Sequence, residues 1–184
     1  MSDMKNDIKE IIISEATISN KIAELGRKIS IDYTGKKLLL VGVLKGCLMF
    51  MSDLMRAIEV PLEIDFLTVS SYGSDVVSRE VKLINDLRVD VSEYDVLFVE
   101  DILDSGKTLK FLKDTMEKRG AKSIKVCTLL DKPERRTAEI VADYKGFVIP
   151  DEFVVGYGLD FDEKYRNLKY IGSLKPELYA HLFQ

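Results

Sequence analysis

The feature that most constrains the fold is a series of short apolar runs, each of strand length and each followed by a helical pattern. Leu38 to Val43 and Val96 to Val99 contain no charged residue. Such continuous runs are typical of parallel strands that are covered by helices on both faces of a sheet. The alternation of these runs with helical segments predicts an α/β fold, with a twisted parallel sheet flanked by helices.

Three helices are predicted from apolar residues that return at helical spacing. Ser14 is expected to cap a helix that runs to about Ile31. A second helix follows Gly46 and ends before Pro61, and a third covers Gly106 to Arg119. The helices and apolar runs together leave no linker, so the 184 residues are expected to form a single domain.

Shorter segments complete the predicted architecture. The segment Ser70 to Glu80 has no apolar periodicity and is predicted to be a mobile loop. The core is expected to hold four or five strands over residues 36–140, with a small hood subdomain from residues 1–14 and 141–184. Further strands are predicted at Ile11–Ile13, Leu62–Val69, Val81–Arg88, Ile124–Leu130, Phe147–Ile149 and Phe153–Val155.

Composition excludes several classes of function. The net charge of −4 disfavours an extended nucleic-acid interface, which usually needs a basic face. No apolar run approaches the length of a membrane span. Two cysteines and one histidine build neither a disulfide framework nor a zinc cluster. We therefore expect a cytoplasmic protein without nucleic-acid or membrane partners, whose metal, if any, is Mg²⁺ held by carboxylates.

The most informative segment is VLFVEDILDSGKT, residues 96–108. An apolar strand runs into Glu100 and Asp101, and ligands of open parallel sheets bind outside the carboxyl ends of strands. The following turn opens a helix, whose N-terminal amides form an anion site. The residues expected to surround this phosphate cup are Asp104, Ser105, Gly106, Lys107 and Thr108.

Two other interpretations of this segment exist. Gly106-Lys107-Thr108 resembles the end of a nucleotide P-loop, but that motif needs glycine at position 101, where this chain has Asp. A carboxylate there would repel a polyphosphate. The segment could also be a simple helix-capping cluster at a strand end.

Instead, the segment resembles the phosphoribosyl-diphosphate (PRPP) signature of the type I phosphoribosyltransferases. Val43 to Gly46 resembles the diphosphate loop of the 6-oxopurine branch of that family, in which the peptide before the lysine is often cis. Ser71-Tyr72 resembles the mobile lid, and Asp131-Lys132-Pro133 the base-recognition lysine. VVGYGLDFDEKYRNL, residues 154–168, resembles the purine and metal segment. The resemblance covers about residues 11–180.

The resemblance implies a purine-salvage enzyme. It would transfer the 5-phosphoribosyl group of PRPP to hypoxanthine and/or guanine with Mg²⁺, releasing diphosphate. Asp104 would be the general base. Glu100, Asp101 and Asp160 would hold Mg²⁺, the first two also facing the ribose. Diphosphate would be bound by Lys45, Gly46 and Arg166, and the purine by Ile102, Lys132, Phe153, Val154 and Asp160.

Alternatives within the same fold remain open on sequence alone. A non-catalytic PRPP-sensing regulator would need a basic face or an added DNA-binding segment. A xanthine-preferring enzyme would share every motif given above. Members of the family commonly form dimers or tetramers, so the resemblance implies a homodimer or homotetramer.

Overall fold

The computed structural model describes residues 4–72 and 80–180. This part of the chain forms three α-helices and nine strands. The helices are α1 (Glu15–Asp32), α2 (Leu48–Ala57) and α3 (Lys107–Lys118). The strands are β1 (Ile8–Ile13), β2 (Leu38–Leu44), β3 (Leu62–Tyr72), β4 (Glu80–Asn85), β5 (Asp95–Leu103), β6 (Ser123–Asp131), β7 (Tyr144–Val148), β8 (Val154–Val155) and β9 (Ile171–Leu174).

Six strands form the large sheet, in the order β4-β3-β2-β5-β6-β7. All neighbouring pairs are parallel except β3 with β4 at one edge. The predicted α/β class with a parallel sheet is therefore confirmed. The sheet is larger than the expected four or five strands because the antiparallel β4 and the late strand β7 both join it. β7 lies in the stretch that was expected to belong to the hood.

Burial on both faces explains the apolar run of β2. Leu38 and Leu40 pack in a core cluster with α1 and α2, whereas Leu39 and Val41 pack in a second cluster with α3. These four side chains are at most 1% exposed. A strand between two helical layers has no solvent face, so no polar alternation survives in its sequence.

A second, antiparallel sheet has the order β1-β9-β8. β1 begins at Ile8, earlier than predicted, because Ile8 pairs with Leu174. β9 was not predicted as a strand. All four of its residues are buried, and its pairing partners lie far away in the sequence.

Two strands extend beyond their predicted ends because their pairing with the neighbouring strand continues. β5 reaches Leu103, which pairs with Asp131, so the predicted end of this strand at Val99 is wrong. β3 reaches Tyr72, which pairs with Glu80, so the ends of the expected lid loop are strands. The remainder of that loop lies outside the described residues. Within residues 4–72 and 80–180, no helix combines the length and apolar character needed to cross a bilayer.

Candidate active site

Two acidic side chains lie near the carboxyl end of β5. Asp101 is buried and accepts a hydrogen bond from the Ile102 amide at 2.9 Å. The Oε2 atom of Glu100 is buried without a hydrogen-bond partner in the described part of the chain. Burial raises the pKa of Asp101 to about 6, and burial together with the neighbouring Asp101 raises the pKa of Glu100 well above its usual range. The charge of Arg166 lowers the pKa of Asp101, but the effect of burial is larger.

The turn that is expected to form the phosphate cup lies at the start of α3. Gly106 caps the helix at a φ of 79°, a conformation that favours glycine. A cavity of about 80 Å³ at this point is lined by the acid Glu100 as well as by the cup itself. Lys107 is exposed and does not line it. The cavity-lining residues are Glu100, Ile102, Leu103, Asp104, Ser105, Gly106, Thr108 and Leu109. Amides at a helix N-terminus suit an anion such as a phosphate.

The loop after β2 lies directly against the β5 acids. The peptide between Leu44 and Lys45 is cis. A Cβ atom added to Gly46 would stand 2.6 Å from the carboxyl carbon of Asp101. The backbone carbonyl of Gly46 in turn faces Gly158. The fold thus brings the Lys45-Gly46 loop, the acids of β5 and the segment after β8 together.

Arg166 is held within this assembly by polar groups of its own segment. It donates to the Gly158 carbonyl at 2.8 Å and pairs with Asp160 at 2.8 Å and Glu163 at 3.3 Å. Its Nε atom is buried without a hydrogen-bond partner in the described residues. Lys45 pairs with the same Glu163 oxygen at 3.1 Å. Both cations expected to bind diphosphate are therefore joined through Glu163.

Of the three carboxylates expected to hold Mg²⁺, Glu100 and Asp101 fit that cation better than Asp160. No group of three or more His, Cys, Asp or Glu side chains is arranged around a metal position within residues 4–72 and 80–180. Mg²⁺, however, usually keeps several waters and takes one or two carboxylates plus substrate oxygens. The unpartnered Glu100 oxygen and the raised pKa of Asp101 fit such a cation. Asp160 fits less well, since its two oxygens bind Arg166 and the Glu163 amide.

A second cavity, of about 350 Å³, lies at the end of β6. Lys132 is 6% exposed, and its ammonium donates to the Glu152 carbonyl at 2.5 Å and lies 3.6 Å from Asp151. Phe153 stacks on Tyr179 with ring centroids 4.8 Å apart. The residues lining this cavity are Lys132, Arg135, Asp151, Glu152, Phe153 and Tyr179.

Other residues expected at the purine are placed differently. Ile102 lines the cup cavity, whereas Phe153 lines the Lys132 cavity, so the two side chains do not enclose one purine site in this structure. Val154 is buried in β8. Ser71 and Tyr72 end β3, and the part of the lid at residues 73–79 lies outside the described residues.

Sequence reasoning missed the counter-ions of the site. Arg135 lies 3.1 Å from Asp104 and 3.3 Å from Asp151, and so links the turn before α3 to the Lys132 cavity. Glu163, which pairs with both Lys45 and Arg166, was not among the predicted site residues. A signal for Arg135 was available, because it follows the carboxyl end of the parallel strand β6, where ligands are bound.

The comparisons with known proteins agree with this geometry. Residues 11–162 match the phosphoribosyl transferase domain family. The chain is 54% identical over 177 residues to the hypoxanthine-guanine phosphoribosyltransferase of Bacillus subtilis, which covers 96% of this chain and 98% of that protein. The structure superposes on a crystal structure of a hypoxanthine phosphoribosyltransferase from Staphylococcus aureus with a TM-score of 0.94 and 52% identity, over 97% of each chain.

A further relative is a longer protein. The chain is 56% identical over 178 residues to the bifunctional protein TilS/HprT of Listeria monocytogenes. That match covers 96% of this chain but only 28% of the relative's length. The family match, the identities and the superposition together show that the chain belongs to the phosphoribosyl transferase domain family.

Proposed function

We propose that this protein transfers the 5-phosphoribosyl group of PRPP to hypoxanthine and/or guanine, forming the nucleoside 5′-monophosphate and releasing diphosphate. The observation that carries the proposal is the single cavity shared by Glu100 and the amide cup before α3. Its two sides have opposite chemistry, since carboxylates suit ribose hydroxyls and amides suit a 5-phosphate. The related hypoxanthine-guanine and hypoxanthine phosphoribosyltransferases support the same activity.

The first chemical problem is the departure of a polyanion from the anomeric carbon. Lys45 belongs to the loop that lies against Asp101, and Arg166 is close enough to lower the pKa of that acid, so both are assigned to donate charge-assisted hydrogen bonds to diphosphate. Glu163 holds both cations in the described structure and must release them to the substrate. Mg²⁺ held by Glu100 and Asp101, when bound, supplies positive charge to the leaving group and the ribose hydroxyls.

The second problem is the proton that the purine loses on attack. Asp104 lies at the junction of the cup and the Lys132 cavity, where it pairs with Arg135 at 3.1 Å. We assign Asp104 as the base that accepts this proton from the imidazole edge of the purine. A lid that contains Ser71 and Tyr72 would exclude water from the oxocarbenium-like centre.

Base selection is assigned to Lys132. Its buried ammonium can donate to an exocyclic 6-oxygen, whereas a 6-amino group would present a donor to a donor. Phe153 provides an aromatic face in the same cavity, and backbone carbonyls near Val154 and Asp160 are assigned to the guanine amino group. The ammonium donates one of its three N–H groups to the Glu152 carbonyl and can offer another to the purine.

Lys132→Met should narrow the preference for hypoxanthine over adenine. We expect kcat/KM for hypoxanthine to fall about 10- to 100-fold, because the buried donor is worth about 1.5–3 kcal/mol, while the rate with adenine does not fall. The measurement is kcat/KM for both bases at saturating PRPP. Lys169→Met, which removes a lysine that is 78% exposed, is the matched control. Unchanged discrimination in Lys132→Met would contradict the assigned role.

Gly46→Ala should reduce activity beyond its cost in stability. The new methyl group would overlap the Asp101 carboxylate, so the loop or the acid must move. We expect a loss of about 1–3 kcal/mol in unfolding free energy and a fall of at least about tenfold in kcat/KM for PRPP. Urea unfolding and steady-state rates measure the two effects. Gly35→Ala, at a φ of 76° in open space, is the control that should lose stability alone.

The experiment that tests the function is a comparison of initial rates with hypoxanthine, guanine, xanthine and adenine at saturating PRPP and Mg²⁺. Transfer to hypoxanthine or guanine supports the proposal. A preference for xanthine would reassign the base. PRPP binding without transfer to any of the four would identify a sensor and contradict the proposed activity.

The remaining assignments are a cytoplasmic location and a homodimer or homotetramer. Cys47 and Cys127 are both free and buried, which fits a reducing compartment. Sedimentation of the purified chain would determine the number of copies.

A further inference from the structure

Arg136 is a largely buried arginine to which neither the motifs nor the proposed reaction assigns a task. Its side chain is 15% exposed. The guanidinium binds four oxygens: the carbonyls of Asp104 at 2.8 Å, Leu103 at 2.9 Å and Ile140 at 2.8 Å, and the Asp131 carboxylate at 2.5 Å. A planar fork of five donors is well suited to such a set, whereas a single ammonium is not.

Two of these acceptors belong to the turn that carries the proposed chemistry. Leu103 ends β5, and Asp104 follows it, immediately before the phosphate cup. Both carbonyls accept hydrogen bonds from the guanidinium. The orientation of the Asp104 peptide sets the direction in which its carboxylate leaves the backbone. Arg136 therefore holds the backbone of the proposed base and not its side chain.

The segment around Arg136 also contacts the residues of the cup. The amides of Thr137 and Ala138 donate to the Ser105 carbonyl at 3.0 and 3.1 Å. A Cβ atom added to Gly106 would stand 2.9 Å from Cδ of Arg136, so the arginine stem packs directly against the cup glycine. The same side chain thus contacts the turn that holds the 5-phosphate site.

The fourth acceptor connects this turn to base selection. Asp131 is the last residue of β6 and precedes Lys132. The Lys132 amide donates to the Leu103 carbonyl at 3.0 Å, the same oxygen that Arg136 binds. Asp131 has a second cationic partner, Lys145, at 2.9 Å. Lys145 therefore pairs with Asp131 as Arg136 does, but it makes none of the contacts that Arg136 makes with the turn.

We propose that Arg136 is a positioning residue, which fixes the Leu103-Asp104 backbone so that the proposed base and the phosphate cup face one substrate while Lys132 faces the purine. The proposal rests on the function proposed above. The guanidinium has two tasks. It neutralises Asp131, a task that Lys145 shares. It also binds the Leu103 and Asp104 carbonyls of the turn, which no other side chain in the described part of the chain does.

The test compares Arg136→Lys with Lys145→Met. Arg136→Lys keeps a positive charge for Asp131 but loses the fork, so we expect kcat to fall about tenfold or more and KM for PRPP to rise about tenfold. KM for hypoxanthine, measured at saturating PRPP, should change less than about threefold, because Lys132 remains in place. Lys145→Met should stay within about threefold of the wild type in all three constants.

Thermal unfolding of both variants, with assays well below each midpoint, separates positioning from folding. As a readout without turnover, affinity for inosine 5′-monophosphate by calorimetry should fall about tenfold in Arg136→Lys and remain unchanged in Lys145→Met. Equal losses in the two variants, or wild-type constants in Arg136→Lys, would overturn the positioning role and leave the proposed function intact. A wild-type chain that transfers nothing from PRPP would overturn the proposed function, and the positioning role with it.

Discussion

Asp104→Asn should lower kcat by about 10²- to 10⁴-fold, the range that a positioned general base contributes. KM for PRPP should change by less than about threefold. The reason is geometric: Asn has the shape of Asp, so the backbone of the cup and its amides keep their places while the proton acceptor is lost. The measurement is a steady-state assay with hypoxanthine, varying PRPP at saturating Mg²⁺.

The surroundings of Asp104 make this substitution a clean test. Its carboxylate makes one ion pair, with the exposed Arg135, and its Oδ1 atom has no hydrogen-bond partner in the described residues, so Asn removes the charge without breaking a hydrogen bond. The matched control is Asp114→Asn, which neutralises a carboxylate on the outer side of α3, where it pairs with Lys110. That control should retain wild-type constants.

Two outcomes would contradict the assignment. Turnover of Asp104→Asn within about threefold of the wild type would remove Asp104 as the base. A fall in PRPP affinity as large as the fall in kcat would mean that the carboxylate supports the cup and not the proton transfer.

Local sequence patterns were sufficient to predict the elements that present the site. Ser14 caps α1 by accepting from the Thr17 amide at 3.2 Å, as its position before an apolar repeat predicts. Gly106 was expected to open a helix beside a phosphate site, and it caps α3 in the left-handed conformation. Each of these features depends on a few neighbouring residues, which is why the sequence alone indicates them.

Features that depend on distant residues were missed. β5 continues past Val99 because its partners in β6 continue, and the composition of β5 gives no sign of this. The pairing of Lys45 with Glu163 joins residues 118 positions apart. The same limit applies to Arg136, whose four acceptors are three carbonyls and one carboxylate that come together only after folding. Every residue carries a backbone carbonyl, so no sequence motif can indicate which carbonyls will accept these hydrogen bonds.

Removing Mg²⁺ should lower turnover by about three orders of magnitude or more, because metal coordination supplies several kcal/mol of charge stabilisation to such a transition state and each 1.4 kcal/mol is tenfold. The chain's own cations cannot replace it in full, because acidic partners offset part of their charge. Lys45 and Arg166 share Glu163, and Arg166 also pairs with Asp160. The acids of β5 would then face the ribose and diphosphate with no positive charge between them.

The measurement is the initial rate in metal-free buffer with EDTA, followed by addition of excess Mg²⁺. EDTA presaturated with Mg²⁺ is the control for effects of the chelator itself, and it should leave the rate unchanged. Glu100→Gln should raise the Mg²⁺ concentration needed for half-maximal rate, since it removes charge from the buried oxygen that has no partner in the described residues. Full activity in EDTA would mean that the raised pKa of Asp101 reflects a protonated acid that binds ribose directly, and the metal assignment of these acids would be wrong.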